Sequence, residues 1–326
     1  MSDVFLGFDT SNYTTSVALC DGDGSILANI KEPLPVKTGE VGLRQSDAVF
    51  SHIKNLPRAA ERLRTVLADT TLRIAGVACS VSPRSASGSY MPCFLAGRAA
   101  AAGAAAVLGV PLYETSHQVG HVIAATLSAN DGRIPLSHMF DSEYIALHVS
   151  GGTTDILHVV PSQDAIIDIS RIGGSEDANA GQIIDRIGVK LGFKFPCGPE
   201  LDRAALGLSD TPRVSRVSVK GADFNLSGLQ NLAERMISDG FGQSDVSAFV
   251  LEYIARSLRS AVSAARGMFG DMPVIFAGGV MSSEYIRRRL SDLGSFAEPP
   301  LSADNAVGVA AAGALLHQRS VVGREV

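Results

Sequence analysis

Hydrophobic residues recur along this chain at two spacings, every second position and every third or fourth, and the switches between them outline its elements. Apolar runs at residues 4–9 and 15–19 predict two strands joined by the turn Ser11-Asn12-Tyr13-Thr14. Asp21-Gly22-Asp23-Gly24 then leads into a third strand at 25–30. Residues 45–68 have helical spacing, with Val49, Ile53, Leu56, Ala60, Leu63 and Leu67 on the face expected to be buried. A short apolar strand at 74–80 precedes a Ser/Gly-rich loop at 82–89. Pro92 opens an Ala-rich helix, and residues 111–114 form another strand before a helix from about Ser116. Strands alternating with helices predict an α/β layer.

The pattern then starts again. Residues 144–149 and 155–160 predict strands around Gly151-Gly152-Thr153-Thr154, with a third at 165–172 and helices near 179–191, 229–236 and 246–268. The run PVIFAGGV, 273–280, predicts a buried strand ending on two glycines. A helix at 283–290 and a last, small-residue helix at 305–317 follow. The second turn copies the first: moved by 139 positions, Ser11 falls on Ser150, Thr14 and Thr15 on Thr153 and Thr154, and Val17 on Ile156. A turn of Gly, Ser and Thr offers N–H groups and hydroxyls without bulk, a shape that suits phosphate oxygens. Most such turns are only turns. The specific signal is the duplication together with a later strand ending at Gly278-Gly279. In this layout the chain resembles the actin-like, sugar-kinase and Hsp70-like ATPase superfamily (ASKHA), and the resemblance implies a duplicated fold of class α/β, two lobes around a nucleotide cleft. Lobe I is expected at 1–128 plus 301–326, and lobe II at 129–300.

Composition narrows the class. With 46% hydrophobic and 19% charged residues the chain reads as globular rather than disordered, and 326 residues accommodate two domains. Arg98 interrupts the Ala-rich stretch, and alanine is too weakly apolar to hold so short a segment in a bilayer, so no membrane span is expected. No basic segment precedes an apolar run at the N-terminus, which argues against a signal peptide. Cys20, Cys79, Cys93 and Cys197 lack CxxC spacing and imply neither a zinc ribbon nor a disulfide framework; a reducing, cytoplasmic setting fits. A net charge of −5 argues against a broad basic surface for nucleic acid but leaves room for a local patch. Arg256, Arg259 and Arg266, and the run Arg287, Arg288, Arg289, read first as solvated helix faces. His117 and His121 are i and i+4, so their rings share one helix face. They either chelate one metal or serve as surface or capping residues.

The motifs, taken in order, resemble those of one family. HVSGGTTDI is similar to its SGGHTQL, SHQVGH to HxEGH, and GGSEDANAGQIIDRIGVKLG to GESxDDAAGEAFDKxAKLLG. FPCGPELD is similar to YPGGPxxx, FNLSGLQ to FSFSGLK, AGGVMSSEYIRRRL to AGGVSANRxLRxxL, and SADNAVGVAAAG to TDNxAMIAxAG. On these strings, which span almost the whole chain, the protein resembles the TsaD family, threonylcarbamoyl transferases that modify the tRNA adenosine next to the anticodon. The resemblance implies one divalent metal, iron or zinc, held by His117, His121 and Asp304. Such a His₂–carboxylate set with open positions can polarise a substrate oxygen as a Lewis acid. It also implies ATP or threonylcarbamoyl-AMP bound at Ser150, Gly151, Gly152, Thr153, Asp177, Gly181, Gly198, Asp202, Gly278, Gly279 and Ser283. Asp9 and Ser11 in the first turn are the candidate catalytic residues. His52 matches a family histidine or is a helix-face residue, and Asp202 bonds a ribose hydroxyl or is a solvated helix-start aspartate. The implied partners are the tRNA anticodon region, a TsaB-like paralogue and a small TsaE-like ATPase, in a homo- or heterodimer.

Differences from the family fall at polar positions. The first hairpin reads DTSNYTT where the family has ETSCDET, so Tyr13 and Thr14 replace an acidic pair. Val119 replaces the Glu between the histidines, Thr153 a His, Ala178 an Asp, Cys197 a Gly, Gln230 a Lys, and Ser283 an Asn that contacts the nucleotide. Two readings follow: a threonylcarbamoyl transferase working with partner proteins, or a divergent paralogue that binds ATP as a regulatory or scaffold subunit or transfers another carbamoyl-type group. A metalloprotease is disfavoured, because HQVGH lacks the Glu that HExxH proteases place after the first His.

Overall fold

The first sheet grows from β1 (Ser2–Ser11), which is buried continuously from Val4 onward and so carries an unbroken apolar run rather than an alternating one. The structure, a computed structural model, describes residues 1–11, 13–35, 43–68, 71–130, 135–208, 210–214, 217–302 and 305–322. β2 (Thr14–Asp21) and β3 (Ile26–Pro33) continue β1 as an antiparallel meander. α1 (Gln45–Val66) leads to β4 (Leu72–Ser82), parallel to β1, and α2 (Phe94–Leu108) leads to β5 (Leu112–Ser116), parallel to β4. The strand order is β3-β2-β1-β4-β5, and α3 (His117–Asn130) follows directly on β5.

The second sheet repeats this plan and extends it. β6 (Tyr144–Val149) and β7 (Thr154–Ser162) are antiparallel, and β8 (Ile166–Ser175) continues from them. Next come α4 (Ala180–Lys190), α5 (Gly198–Leu206), β9 (Val219–Lys220), β10 (Ala222–Phe224), α6 (Ser227–Ser238) and α7 (Gln243–Phe269). β11 (Val274–Ala277) returns parallel to β6, and α8 (Glu284–Leu290) and β12 (Ser295–Phe296) follow. The order is β12-β11-β6-β7-β8-β10-β9, so β8-β7-β6-β11-β12 has the sequence of β3-β2-β1-β4-β5. α9 (Pro299–Ser302) and α10 (Val307–Val322) close the chain. By contacts the molecule divides into Met1–Ser142 with Val160–Asp168 and Pro300–Val326, and Glu143–Val159 with Ile169–Pro299.

The internal repeat holds to the residue. In the first hairpin Thr10 pairs with Thr15 and Asp9 with Ser16. Moved by 139 positions these become Val149 with Thr154 and His148 with Asp155, which are the pairs observed in the second hairpin. Asn12, in the first turn, lies outside the described residues.

The face of α1 differs from the expected one. Its buried stripe is Ala48, His52, Asn55, Ala59 and Leu63, whereas Ile53 is 55% exposed. The cause is polar: His52 Nδ1 lies 2.8 Å from Thr15 Oγ1, and Asn55 donates to the same hydroxyl and to the carbonyl of Glu32. Those buried bonds turn the helix toward the hairpin instead of presenting its larger apolar residues. α10 lies close on β1 and α3 through small residues. A Cβ on Gly7 would sit 2.6 Å from Ala310 N, and one on Gly308 would press on the Gly120 carbonyl and sit 2.7 Å from Ala124 N.

Candidate functional site

Five short segments of the second unit surround a cavity of about 570 Å³. Four of them bring glycines: Gly151 from the second hairpin, Gly181 from α4, Gly198 at the start of α5, and Gly279 beyond β11. Ile184, Pro196, Pro199, Leu206, Leu251 and Val280 supply apolar walls, and Asp185, Asp202, Arg203, Ser282 and Ser283 the polar ones. The glycines serve different ends. A Cβ on Gly181 would lie 2.7 Å from Gly151 N, so this glycine lets α4 start against the hairpin. At Gly151, Gly198 and Gly279 a Cβ would meet nothing within 4 Å, so these positions leave space in the cavity itself. The first N–H groups of α4 are engaged, Ala180 N with Thr154 Oγ1 and Gly181 N with the Ser150 carbonyl, so what the N-termini of α4 and α5 offer an anion is their favourable dipole end.

Three of the polar side chains, Asp185, Asp202 and Ser283, are held by hydrogen bonds. Asp202 accepts hydrogen bonds from Ser283 Oγ, from Glu284 N at 3.1 Å and from Tyr285 N at 3.1 Å, capping α8 from a different helix. Ser283 in turn accepts from Ile286 N as the N-cap of that helix. Asp185 accepts from Cys197 N at 2.8 Å, and Cys197 is buried against Gly188, which accounts for the side chain standing where the family has glycine.

Of the nucleotide candidates, Gly151, Gly181, Gly198, Asp202, Gly279 and Ser283 line this cavity. Ser150, Gly152, Thr153, Asp177 and Gly278 are not among the residues that line it. Ser150 Oγ accepts from Gly152 N and Thr153 N, at 3.3 and 3.1 Å, so these N–H groups shape the turn from inside. Asp177 accepts from Leu226 N and Ser227 N and so holds the start of α6. Burial raises its pKa, but the hydrogen bonds from Ser227, Leu226 and Ala178 outweigh this and leave its carboxyl below the usual value. Asp185, within the string matched to the family's acidic helix motif, also lines the cavity, as do Arg203 and Ser282, which were not among the sequence candidates. The signal for Arg203 was helical spacing: Pro199, Asp202, Arg203 and Leu206 share the face of α5 opposite to buried Leu201 and Ala205.

The first unit assembles a separate polar cluster. His117 and His121 stand one turn apart on α3, with ring centroids 4.3 Å apart and nearly perpendicular planes. His117 Nδ1 lies 2.7 Å from Asp9 Oδ2, and the buried Asp9 also accepts from Ser11 N at 2.9 Å. This bond links residues 108 positions apart, which no local spacing could reveal. A carboxylate on Nδ1 fixes the tautomer that leaves Nε2 as the ligating nitrogen, the arrangement usual behind a metal-bound histidine. Two imidazoles so placed fit a transition metal. Asp304 lies outside the described residues, and among the described residues no third His, Cys, Asp or Glu completes a metal group. Its neighbour Asn305 accepts from Val307 N and donates to the Leu301 carbonyl. His52 is fully buried, and burial lowers its pKa against the opposing pull of the Ser11 backbone and the Asp9 charge.

Two α/β units with one strand order, each with a Ser/Thr turn between its first strands, define the actin-like ATPase fold. Solved structures agree. Over 99% of this chain and 48% of that one, HypF of T. kodakarensis is similar at a TM-score of 0.58 and 15% identity, so the chain spans about half its length. The activator of the 2-hydroxyisocaproyl-CoA dehydratase from Clostridium difficile, solved with ADPNP, is similar at a TM-score of 0.51 and 14% identity, over 99% and 98% of the two chains.

Sequence then narrows the class to one family. The model of the tRNA N6-adenosine threonylcarbamoyltransferases, TsaD, matches residues 37–311, and the chain belongs to that family. It is 29% identical to the tRNA N6-adenosine threonylcarbamoyltransferase of Methanopyrus kandleri, covering 98% of this chain and 89% of the relative. It is 28% identical to that of Thermosipho africanus, covering 98% and 96%.

Proposed function

We propose that this protein transfers threonylcarbamoyl from threonylcarbamoyl-AMP to N6 of a tRNA adenosine. Family membership over most of the chain carries this reading, and the glycine-rimmed cavity of the second unit supports it as the place where the adenylate's nucleotide binds. In the reaction the adenosine N6 attacks the carbamoyl carbon and a C–N bond forms. The C–O bond to the AMP phosphate breaks, AMP leaves, and N6 gives up a proton. Gly151, Gly198 and Gly279 allow phosphate oxygens close to the backbone, and the N-termini of α4 and α5 stabilise the charge on the departing AMP. Asp9 holds His117 in one tautomer, and Ser11 N in turn fixes Asp9.

In this reading His117 and His121, with Asp304, hold a divalent iron or zinc ion that acts as a Lewis acid on a substrate oxygen. The reading also includes the tRNA anticodon region as acceptor, TsaB-like and TsaE-like partners, and a cytoplasmic location. Among the described residues no helix is long and apolar enough to cross a membrane. The experiment is transfer of labelled threonylcarbamoyl from its adenylate to unmodified tRNA by the metal-loaded protein with its partners. Label should appear on tRNA with the native protein and disappear with His117→Ala. Transfer unchanged by that substitution, or no transfer under any partner combination, would overturn the proposal.

A further inference from the structure

The cavity of the second unit contains one side chain whose charge nothing in the fold uses. Its two carboxylates are engaged, Asp185 by Cys197 N and Asp202 by Ser283, Glu284 and Tyr285. Arg203 is the one Lys, Arg or His among the described residues that line the cavity, and it makes no hydrogen bond or ion pair with any described residue. It stands on the cavity face of α5, with Pro199 one turn before it and Leu206 one turn after. Its aliphatic stem can lie along that apolar edge and present a flat, weakly hydrated guanidinium to the cavity.

The position also says which part of a nucleotide it meets. Phosphates are drawn to the glycine end, where α5 begins at Gly198 and α4 begins beside Gly151. Arg203 is five residues further along α5, about 7.5 Å at 1.5 Å per residue, toward the helix end that repels anions. That distance leaves room for a ribose between. Leu206, one turn beyond Arg203, supplies an apolar wall at that end.

We infer that Arg203 is a specificity-determining residue that stacks on the face of the purine base, reading the aromatic ring rather than the phosphates. The inference rests on the nucleotide reading of this cavity. Its test compares native protein, Arg203→Ala and Arg203→Lys in calorimetric titrations with ATP and with inorganic tripolyphosphate, which has the charge but no base. The fluorescence of bound etheno-ATP serves as a separate report of stacking. Arg203 is exposed and unpaired, so both variants should fold, which their unfolding curves check. Arg203→Ala should weaken ATP roughly tenfold, in line with a desolvated cation–π contact, and leave tripolyphosphate nearly unchanged. Arg203→Lys should recover part of the loss, and the quenching of etheno-ATP should fall with Arg203→Ala. Equal loss of ATP and tripolyphosphate would mean that the guanidinium reads phosphate, and unchanged ATP binding that it reads nothing; either overturns the inference alone. Native protein that binds no ATP would instead remove the nucleotide reading beneath it.

Discussion

Gly278 and Gly279 are adjacent and chemically identical, yet the same kind of substitution should break them in different ways. Gly278 has φ +100°, and a Cβ there would lie 2.7 Å from Val149 C and 2.8 Å from Val149 N, both backbone atoms of β6. A left-handed conformation costs a residue with a side chain about 1–2 kcal/mol, and forcing a methyl against backbone that cannot rotate away costs about 1–3 more. Gly278→Ala should therefore lose about 2–5 kcal/mol, a large share of a typical stability of about 5–15. At Gly279 a Cβ meets nothing within 4 Å, and the residue faces the cavity. Gly279→Val should leave stability within about 0.5 kcal/mol, as at an unconstrained surface position. It should nevertheless push a nucleotide off the backbone, weakening ATP by about 1–3 kcal/mol, or roughly 5- to 150-fold. Urea unfolding and ATP titration on both variants separate the two effects. A Gly279→Val protein that unfolds like Gly278→Ala, or binds ATP as tightly as the native chain, refutes the assignment of Gly279 to the cavity.

The crossing of α3 and α10 gives a second contrast. Gly308→Ala meets backbone of α3 and should cost about 3 kcal/mol or more, while Gly120→Ala meets mainly Val309 Cγ2 at 2.8 Å. That side chain can change rotamer for about 0.5–1.5 kcal/mol, and the gain in helix propensity of about 1 offsets it, so denaturation midpoints should show Gly120→Ala close to native. His52 makes stability depend on pH. Its folded pKa is lowered by burial, so below about pH 6.5 the unfolded chain takes up a proton that the folded chain refuses. Stability is full above that pH and falls as pH drops toward the folded value, by up to about 1.4 kcal/mol per unit. Between pH 6.5 and 5, melting temperatures of His52→Gln should fall less steeply than those of the native protein, and parallel slopes would contradict the account.

What could be read from the sequence was what periodicity and motif order encode. The strands around both turns, their repeat at 139 positions and the long helices were legible, because each rests on local spacing. α5 was not, since Pro196 and Gly198 read as loop residues, although Pro at the second position of a helix is well tolerated. Missing α5 concealed Arg203, which stands beside the expected Asp202 on its cavity face. The buried side of α1 was misjudged because hydrophobicity alone ranks Ile53 above His52 and Asn55. The hydrogen bonds that hold the latter pair inside are made with Thr15, on another element, whose hydroxyl accepts from Asn55. The bond of Asp9 to His117 belongs to the same class: two residues each visible in a motif, joined only by the fold.

The two copies of the turn have also come to different uses, and burial explains which positions diverged. In the first copy the polar groups point inward. Asp9, Thr10, Ser11, Thr15 and Ser16 are all buried; Thr10 Oγ1 donates to the Cys93 carbonyl and accepts from Gly97 N, and Asp9 holds His117. In the second copy the tip glycines, Gly151 and Gly152, are exposed with open space beside them. One turn thus orients side chains, and the other offers backbone. Changing Asp9, Thr10 or Thr15 alone leaves a partner unsatisfied at a cost of about 1–3 kcal/mol, so these positions resist replacement one at a time. Tyr13, at the tip, is 47% exposed and has no such constraint. A different side chain at Tyr13 therefore need not disturb the buried bond from Asp9 to His117. The substitution alters what the turn shows to a ligand, not how the turn is built.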